Sequence, residues 1–230
     1  MCGRFVQASA PSLLVERFDV DELVVDGFEP HYNVAPRMDV LVVRDRDRVR
    51  SLGQMRWGLV PMWADSPAIG DRMINARSES VTEKAAFKGA FERRRCLIPV
   101  DGFYEWQAGN AKKVPMYIHA ADETPLAFAG LWETWRSEPE ADPLHTCTVI
   151  TTAANTTMQA VHDRMPAVLD PVDWDEWLDR DPRDLGTLER FLRPAPDDLL
   201  TFHPVSTRVN SARNDDAALL LREDPLTLFP

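Results

Sequence analysis

The residue with the most distinctive chemistry is Cys2, directly behind the initial methionine. When Met1 is removed, the amine and the thiol of Cys2 lie on adjacent carbons. Their reference pKa values, about 8 for the amine and about 8.5 for the thiol, leave both groups partly reactive near neutral pH. Such an aminothiol converts an aldehyde first into a Schiff base and then into a five-membered thiazolidine. Position alone favours the plainer interpretation of a small buried residue.

Asn75 and Arg77 follow directly on an apolar stretch and lie two residues apart. On an extended segment, side chains at that spacing face the same side. Asn75 is suited to orient an amine, and Arg77 is suited to bind a phosphate. A turn with a surface salt bridge explains the same residues without any ligand. Taken alone, that second interpretation is the stronger one.

Glu105 and His162 are the candidate proton-transfer groups. Glu105 lies between two aromatic residues in a predicted strand over 103–106, where burial favours its protonated form and proton transfer near neutral pH. A glutamate facing solvent on an alternating strand is the simpler alternative. A histidine such as His162 can donate or accept a proton, and Arg164, two residues later, is a phosphate ligand candidate. A single histidine is more often structural, but its neighbouring arginine favours a functional role.

Candidate binding residues also lie in two predicted loops. Trp63 follows Pro61 and is the more exposed candidate for stacking on a nucleobase, whereas Trp57 ends a strand and is predicted to pack in the core. Residues 31–36 are predicted to form a loop of mixed polarity, in which Asn33 helps to line a pocket.

Metal and cofactor sites find no support in the sequence. The five histidines lack HxxxH and HxH spacing, and the three cysteines lack CxxC spacing. Walker, GxGxxG and GxSxG motifs are absent. We therefore expect neither a metal nor a cofactor.

Composition is that of a globular protein without a membrane span. The 230 residues carry 26 basic and 37 acidic side chains, a net charge of −11 and a pI near 4.9. A uniformly basic nucleic-acid-binding surface is excluded, although residues 31–100 hold 13 basic and 8 acidic side chains and leave room for a basic site. The first residues lack the pattern of a signal peptide. We expect a cytoplasmic monomer.

The periodicity predicts short helices and many strands in one α+β domain around a curved, mainly antiparallel, barrel-like sheet with peripheral helices. The predicted domain spans 1–222, and 223–230 is predicted to be a C-terminal tail. Helices are predicted over 12–18, 83–94, 155–161, 174–178 and 185–192. Strands are predicted over 40–43, 48–57, 96–100, 103–106, 116–119, 126–131, 146–151 and 202–205, with a turn at 45–47.

Considered together and in order, the motifs of this chain resemble the SRAP family, the SOS response-associated peptidase-like proteins. The motifs are 1–5 (MCGRF), 32–36 (YNVAP), 56–61 (RWGLVP), 75–79 (NARSE), 102–106 (GFYEW), 162–166 (HDRMP) and 203–206 (HPVS). The resemblance extends from residue 1 to about 216 and implies the fold of that family.

The resemblance implies a sensor of abasic sites in single-stranded DNA that forms a covalent crosslink and shields the lesion. Cys2 would be the nucleophile, forming the thiazolidine after Met1 removal, and Asn75 would hold the Cys2 end in place. Glu105 would act as general acid and base, and His162 would assist proton transfer. The same region is implied to remove Met1 autocatalytically. A protein of this kind associates with the nucleoid when it binds damaged DNA.

The resemblance also implies the DNA contacts. Arg77 and Arg164 would bind phosphates that flank the lesion, with Arg4 and Asn33 nearby and Trp63 stacking on a base. Some family members have two adjacent aromatic residues in the loop that holds Trp63, whereas Ala64 follows it here. Together with the net charge of −11, this predicts modest reversible affinity and reliance on the covalent step.

Two other classes of function remain open from sequence. One is a thiol peptidase that cleaves other proteins, with Cys2 activated by His162. The other is a non-covalent single-stranded or junction DNA-binding protein, in which the motif residues only bind. The first predicts cleavage of unrelated peptides, and the second predicts that no heat-resistant complex forms.

Overall fold

The computed structural model describes residues 2–25, 27–108, 112–181 and 184–224. Within these ranges the strands are β1 (Phe5–Gln7), β2 (Glu22–Val24), β3 (His31–Val34), β4 (Asp39–Arg46), β5 (Val49–Trp57), β6 (Asn75–Arg77), β7 (Arg95–Val100), β8 (Gly102–Gln107), β9 (Val114–Ala120), β10 (Leu126–Trp135), β11 (Leu144–Ala153), β12 (Arg164–Pro166) and β13 (Leu200–Pro204). The α-helices are α1 (Pro11–Arg17), α2 (Lys88–Arg93), α3 (Thr156–Gln159), α4 (Trp174–Leu178) and α5 (Leu185–Glu189).

Five strands of the larger sheet form a closed ring. The order β11-β10-β7-β4-β5 runs through antiparallel pairs, and β5 returns to β11 through a short parallel pairing of Arg56 with Thr146. β2, β6 and β12 are attached to this ring. Apolar runs such as 40–43 suit the ring because both faces of its strands are buried.

The smaller sheet covers one end of the ring. Its order is β13-β9-β8-β1-β3, and every pair is antiparallel. Phe5 packs on Trp57 of the ring with ring centroids 4.7 Å apart, and Phe103 packs on Phe128 at 5.6 Å. Since β1 lies between β8 and β3, the residues just before Phe5 enter the middle of this sheet.

Side-chain alternation along the ring strands separates two cores. One row, which includes Val42, Ile98 and Phe128, faces the inside of the ring and the smaller sheet. The other row packs outward on α1, α2 and α4, where Trp177 is fully buried. Burial of each such large side chain contributes about 1.5–3 kcal/mol. The fully buried Trp57 confirms its predicted core position.

Several predicted elements are corrected. Residues 31–36 are not a loop, because 31–34 form β3, which pairs with β1. The helix predicted over 83–94 is confined to α2, since 83–87 form separate turns such as the one closed by the Phe87 N–H and the Lys84 carbonyl. The helix over 185–192 divides into α5 and a 3-10 turn. The structure also contains four short strands that the sequence patterns do not predict: β1, β2, β6 and β12.

The hairpin between β4 and β5 turns later than the sequence predicts. β4 continues to Arg46, which pairs with Val49, and the two residues between them, Asp47 and Arg48, both have positive φ. A two-residue turn of this kind matches the twist of the two strands. The predicted turn at 45–47 is therefore displaced toward Arg48.

The fold class is confirmed as a single α+β domain with few helices, and its antiparallel-rich strands are divided between two sheets. Among the described residues, no helix has the length and apolar character needed to cross a membrane. The division into 1–222 and a tail over 223–230 stays a prediction, and 225–230 lie outside the described residues.

Candidate active site

Cys2 lies where the chain enters β1, and its side chain is buried. The thiol donates to the backbone carbonyl of Arg4, with 3.9 Å between sulfur and oxygen. Burial raises the pKa of the Cys2 thiol far above its usual value, and the charge of Glu105 raises it further. The sulfur is therefore a neutral thiol near pH 7, unlike the exposed, low-pKa thiolates of reactive cysteines.

Asn75 contacts Cys2 directly. β6 places it on the edge of β11, opposite Val149, and its Nδ2 donates to the backbone carbonyl of Cys2 at 2.7 Å. Its Oδ1 is buried and has no hydrogen-bond partner among the residues that the structure describes. A buried acceptor of this kind is unusual, because such atoms are nearly always paired.

Glu105 lies in β8, the strand beside β1, and only 4% of it is exposed. The alternative of a solvent-facing glutamate is therefore wrong. Tyr104 packs into the core on the opposite face of the smaller sheet, as the alternation predicts. Both faces of β8 are covered, which explains why alternation did not bring Glu105 to solvent. The backbone N–H of Tyr104, next to Glu105, donates to the Arg4 carbonyl at 3.0 Å, which brings Glu105 near enough to Cys2 for its charge to raise the pKa of the thiol.

The segment that holds His162 lies against the end of β8. Gln107, two residues after Glu105, donates to the backbone carbonyl of Ala160, two residues before His162 (2.7 Å). The Arg164 backbone N–H donates to Nδ1 of His162 at 2.9 Å, so in the neutral ring the proton is on Nε2. Protonated Nδ1 instead pairs with the exposed Asp163 carboxylate, 2.8 Å away.

Arg77 and Arg164 come together around β11. Arg77 of β6 is paired with Thr151 of β11. Arg164 of β12, the other neighbour of β11 here, is paired with Ala153. Arg77 is exposed and has no side-chain hydrogen bond or ion pair to any described residue. Its guanidinium is therefore available to a ligand.

Arg164 is already engaged within the protein. Its two terminal nitrogens bind the two carboxylate oxygens of Glu79, and one of them also donates to the Thr151 carbonyl at 2.7 Å. The hydrogen bonds from Arg164 lower the pKa of Glu79 below its usual value. Glu79 therefore stays ionised at neutral pH, and its carboxylate occupies the place at Arg164 where a phosphate would bind.

Arg4 and Asn33 form a second internal cluster. Arg4 donates to Oδ1 of Asn33 at 2.9 Å and to the Val209 carbonyl at 3.0 Å, and burial lowers the pKa of Arg4. Asn33 is fully buried in β3, and its Nδ2 lies within hydrogen-bond distance of the carbonyls of Val209, Ser211 and Asn214. Asn33 thus lies behind Arg4, not on a pocket surface, and its contact with DNA stays a prediction.

Trp63 is 60% exposed in the loop after β5, as expected for a stacking residue. Its neighbour Met62 is equally exposed, so an aromatic and a thioether side chain project from the same loop. The loop is anchored by the Trp135 indole N–H, which donates to the Ala64 carbonyl at 2.7 Å.

Two contributors to the site were not singled out by sequence reasoning. Glu79 belongs to the 75–79 motif, and it pairs with Arg164 of β12 and not with Arg77, two residues before it. Asp215 accepts from the backbone N–H of Asn33 at 2.9 Å and fixes β3. No local pattern linked residues so far apart. Among the described residues, no group of three or more metal-ligating side chains occurs.

Several known proteins are similar to this chain in sequence or in fold. The chain is 42% identical over 226 residues to abasic site processing protein YoaM of Bacillus subtilis, covering 97% of this chain and 99% of that one. It is 41% identical over 222 residues to abasic site processing protein YoqW of the same organism, covering 96% and 99%. A crystal structure of a Bacteroides thetaiotaomicron protein shares the fold, with a TM-score of 0.86 at 22% identity, covering 96% of this chain and all of that one.

The family model described as SOS response associated peptidase (SRAP) matches residues 1–212, a range that includes every candidate residue of the site. Because the match covers nearly the whole chain, this protein belongs to the SRAP family.

Proposed function

We propose that this protein processes abasic sites by capturing them covalently through Cys2 in single-stranded DNA. The observation that carries the proposal is the arrangement around Cys2. Its thiol is buried beside Glu105, its carbonyl is held by Asn75, and the Oδ1 of Asn75 has no partner among the described residues. The names of the YoaM and YoqW relatives support the same lesion as substrate.

Capture begins with an amine. Removal of Met1 exposes the α-amine of Cys2, and the unpaired Oδ1 of Asn75 is the acceptor that would orient it. Met1 lies outside the described residues. Its autocatalytic removal is part of the proposal: a water molecule attacks the Met1 carbonyl carbon, the Met1–Cys2 peptide bond breaks, and Glu105 and His162 transfer the protons that release methionine and the Cys2 amine.

The amine then attacks the aldehyde carbon of the ring-opened sugar. Glu105 and His162 donate a proton to the departing hydroxyl, which leaves as water, and a Schiff base remains. The Cys2 sulfur next bonds to the same carbon, while its proton passes to the imine nitrogen. The product is a thiazolidine, and one water is lost overall. The second bond forms within one residue, so it benefits from a high effective concentration.

The neutral state of the Cys2 thiol supports aldehyde capture over peptide cleavage. A thiol peptidase depends on a thiolate, usually formed beside an imidazolium. Burial instead raises the pKa of this thiol, and the Glu105 charge acts in the same direction. Addition to an imine supplies a proton acceptor, the imine nitrogen, in the same step.

The exposed Arg77 and Trp63 are the proposed DNA contacts, one for a phosphate and one for a base. Arg164 contributes a second phosphate contact when Glu79 is displaced. Arg4 acts near the start of β1, and Asn33 supports it from behind. One copy of the chain suffices for this scheme, which needs neither metal nor cofactor, and a DNA-bound protein is expected at the nucleoid.

The test is denaturing gel electrophoresis of the purified protein with an oligonucleotide that carries one abasic site. We expect a heat-resistant shifted band for the wild type and none for Cys2→Ala. Cys2→Ala and Cys2→Ser both keep the α-amine and lose the sulfur, so their complexes should survive heat only after borohydride reduction. Cys147→Ala, a change at another buried cysteine, is the matched control and should crosslink normally.

Mass spectrometry must first show that Met1 is absent from each protein. An equal heat-resistant band from Cys2→Ala would overturn the proposal. Cleavage of an unrelated peptide without any crosslink would favour the peptidase instead, and binding seen only on native gels would favour a non-covalent DNA-binding protein.

A further inference from the structure

A polar cavity of about 520 Å³ lies at the end of the strand ring opposite the smaller sheet. Its walls continue the inward-facing rows of β4, β10 and β11 beyond the core. We call this cavity the ring mouth, and the residues that matter for its chemistry are Arg44, Arg46, Trp132, Arg136, His145 and Arg180.

The charge of the ring mouth is opposite to that of the whole chain. The described residues that line it include four arginines and one aspartate, Asp47, in a protein whose net charge is −11. The ion pair of Asp47 with Arg46 is long, at 3.6 Å, and both side chains are exposed. Such a pair contributes little and leaves the positive charge of the mouth largely uncompensated.

Arg44 is the innermost of these arginines. It is half-buried, and its guanidinium lies 4.6 Å from the centre of the Trp132 ring. Its guanidinium has no hydrogen bond or ion pair to any residue in the described ranges. Burial lowers the pKa of Arg44, and the positive charges of Arg46 and Arg180 lower it further.

Trp132 supplies a second polar group without a partner. Its side chain is 93% buried, since only 7% is exposed, and its indole N–H has no acceptor in the described part of the chain. A buried donor left unpaired destabilises the folded protein. An anion with several oxygen atoms in the mouth would offer acceptors to this indole and to the arginine forks.

His145 lies in the same positively charged part of the cavity. It lies on the wall beside Thr134, whose Oγ1 is 3.1 Å from its Nδ1. Burial lowers the pKa of His145, and Arg44, Arg136 and Arg46 lower it further. Three arginines therefore act on one point of the cavity wall.

We propose that the ring mouth is a binding site for a phosphate group, separate from the Cys2 site. Arginine forks match the oxygen geometry of phosphate, and a mouth of this size accommodates a nucleotide. The separation follows from the strands. Val149, beside Asn75, lies four residues from His145, which is about 13 Å along β11. Buried Cys147 and Trp57 fill the ring between the two sites.

The proposal is tested by calorimetry on the full chain in phosphate-free buffer of low ionic strength. The probes are thymidine 5′-monophosphate and thymidine. The exposed arginines are changed together in Arg136→Glu/Arg180→Glu, which leaves the core intact. The matched control, Arg213→Glu/Arg222→Glu, makes the same change in charge at exposed positions outside the mouth.

We expect the wild type and the control to bind the monophosphate and not thymidine, and the mouth variant to bind it at least about tenfold more weakly. Arg77→Ala, at the other site, should bind as the wild type does. Equal affinity of the mouth variant, equal weakening of the control, or loss of binding in Arg77→Ala alone would each overturn the proposal.

A lesion-free 20-nucleotide single strand identifies the source of the phosphate. If the mouth binds the DNA backbone, the mouth variant loses affinity for this strand as well as for the monophosphate. If it binds a free nucleotide, only the monophosphate is affected. Neither outcome depends on crosslinking, so a failure of the Cys2 proposal is distinguishable from a failure of this one.

Discussion

Asn75→Ala is the most informative single change at the Cys2 site. It removes the 2.7 Å hydrogen bond to the Cys2 carbonyl and the unpaired Oδ1 proposed to orient the amine. Because β6 is held by its pairing with β11, the backbone should stay in place. The variant therefore tests positioning and not folding.

The magnitude follows from the two contacts. A neutral hydrogen bond contributes about 0.5–1.5 kcal/mol, so losing two raises the barrier to capture by about 1–3 kcal/mol. Converted at 1.36 kcal/mol per tenfold change in rate, this corresponds to a slowing of about fivefold to 160-fold. Noncovalent affinity for DNA should change less, because Asn75 is not among the proposed DNA contacts.

The assay is single-turnover crosslinking at saturating protein, with the shifted band followed over time. Asn214→Ala is the control, since its side-chain amide also donates to a backbone carbonyl at 2.7 Å, that of Arg208. It should react at the wild-type rate. A rate for Asn75→Ala within twofold of wild type, with Met1 removed from both proteins, would refute the positioning role.

Three further predictions concern stability. Asn33→Ala should lower the free energy of unfolding by about 2–4 kcal/mol, because the Arg4 guanidinium and buried carbonyls lose a hydrogen-bond partner. A loss below about 1 kcal/mol in urea titration would contradict this. Gly58→Ala should cost at least about 2 kcal/mol by the same titration, since Gly58 has φ +123° and the new Cβ would lie 2.6 Å from the Gly70 oxygen; a stable variant would refute the strain. Burial lowers the pKa of His203, so the stability that its neutral ring contributes is present above about pH 6.5 and is lost as pH falls. The urea midpoint of His203→Gln should fall less steeply than that of wild type between pH 7 and 5, and an equal slope would count against the argument.

The elements predicted best are those with strong local patterns. The apolar runs of β4, β7 and β10 identified ring strands because both of their faces are buried. β3 was missed because its polar residues are satisfied by distant partners, above all Asp215, which accepts from the Asn33 N–H. The residues next to β3 in the sequence do not indicate such a contact.

The candidate residues were recognised by type and by family resemblance, but their arrangement depends on long-range pairing. Cys2 and Asn75 meet because β6 pairs with β11, while Glu105 joins them because β8 lies beside β1. Alternation placed Tyr104 and Glu105 on opposite faces of β8. It did not predict that Glu105 is buried, since this requires knowing that the ring covers that face of the smaller sheet.

The pairing of Arg164 with Glu79 makes the carboxylate an internal competitor for the phosphate that Arg164 is proposed to bind. Every DNA strand that uses Arg164 must first replace Glu79, whose lowered pKa keeps it charged at neutral pH. For an exposed carboxylate this exchange costs at most about 1 kcal/mol. Such a penalty shortens the residence of intact DNA, yet it is negligible once a covalent bond forms. Under the proposed mechanism an undamaged strand, which has no aldehyde to capture, gains nothing that offsets this penalty and dissociates sooner than a captured strand.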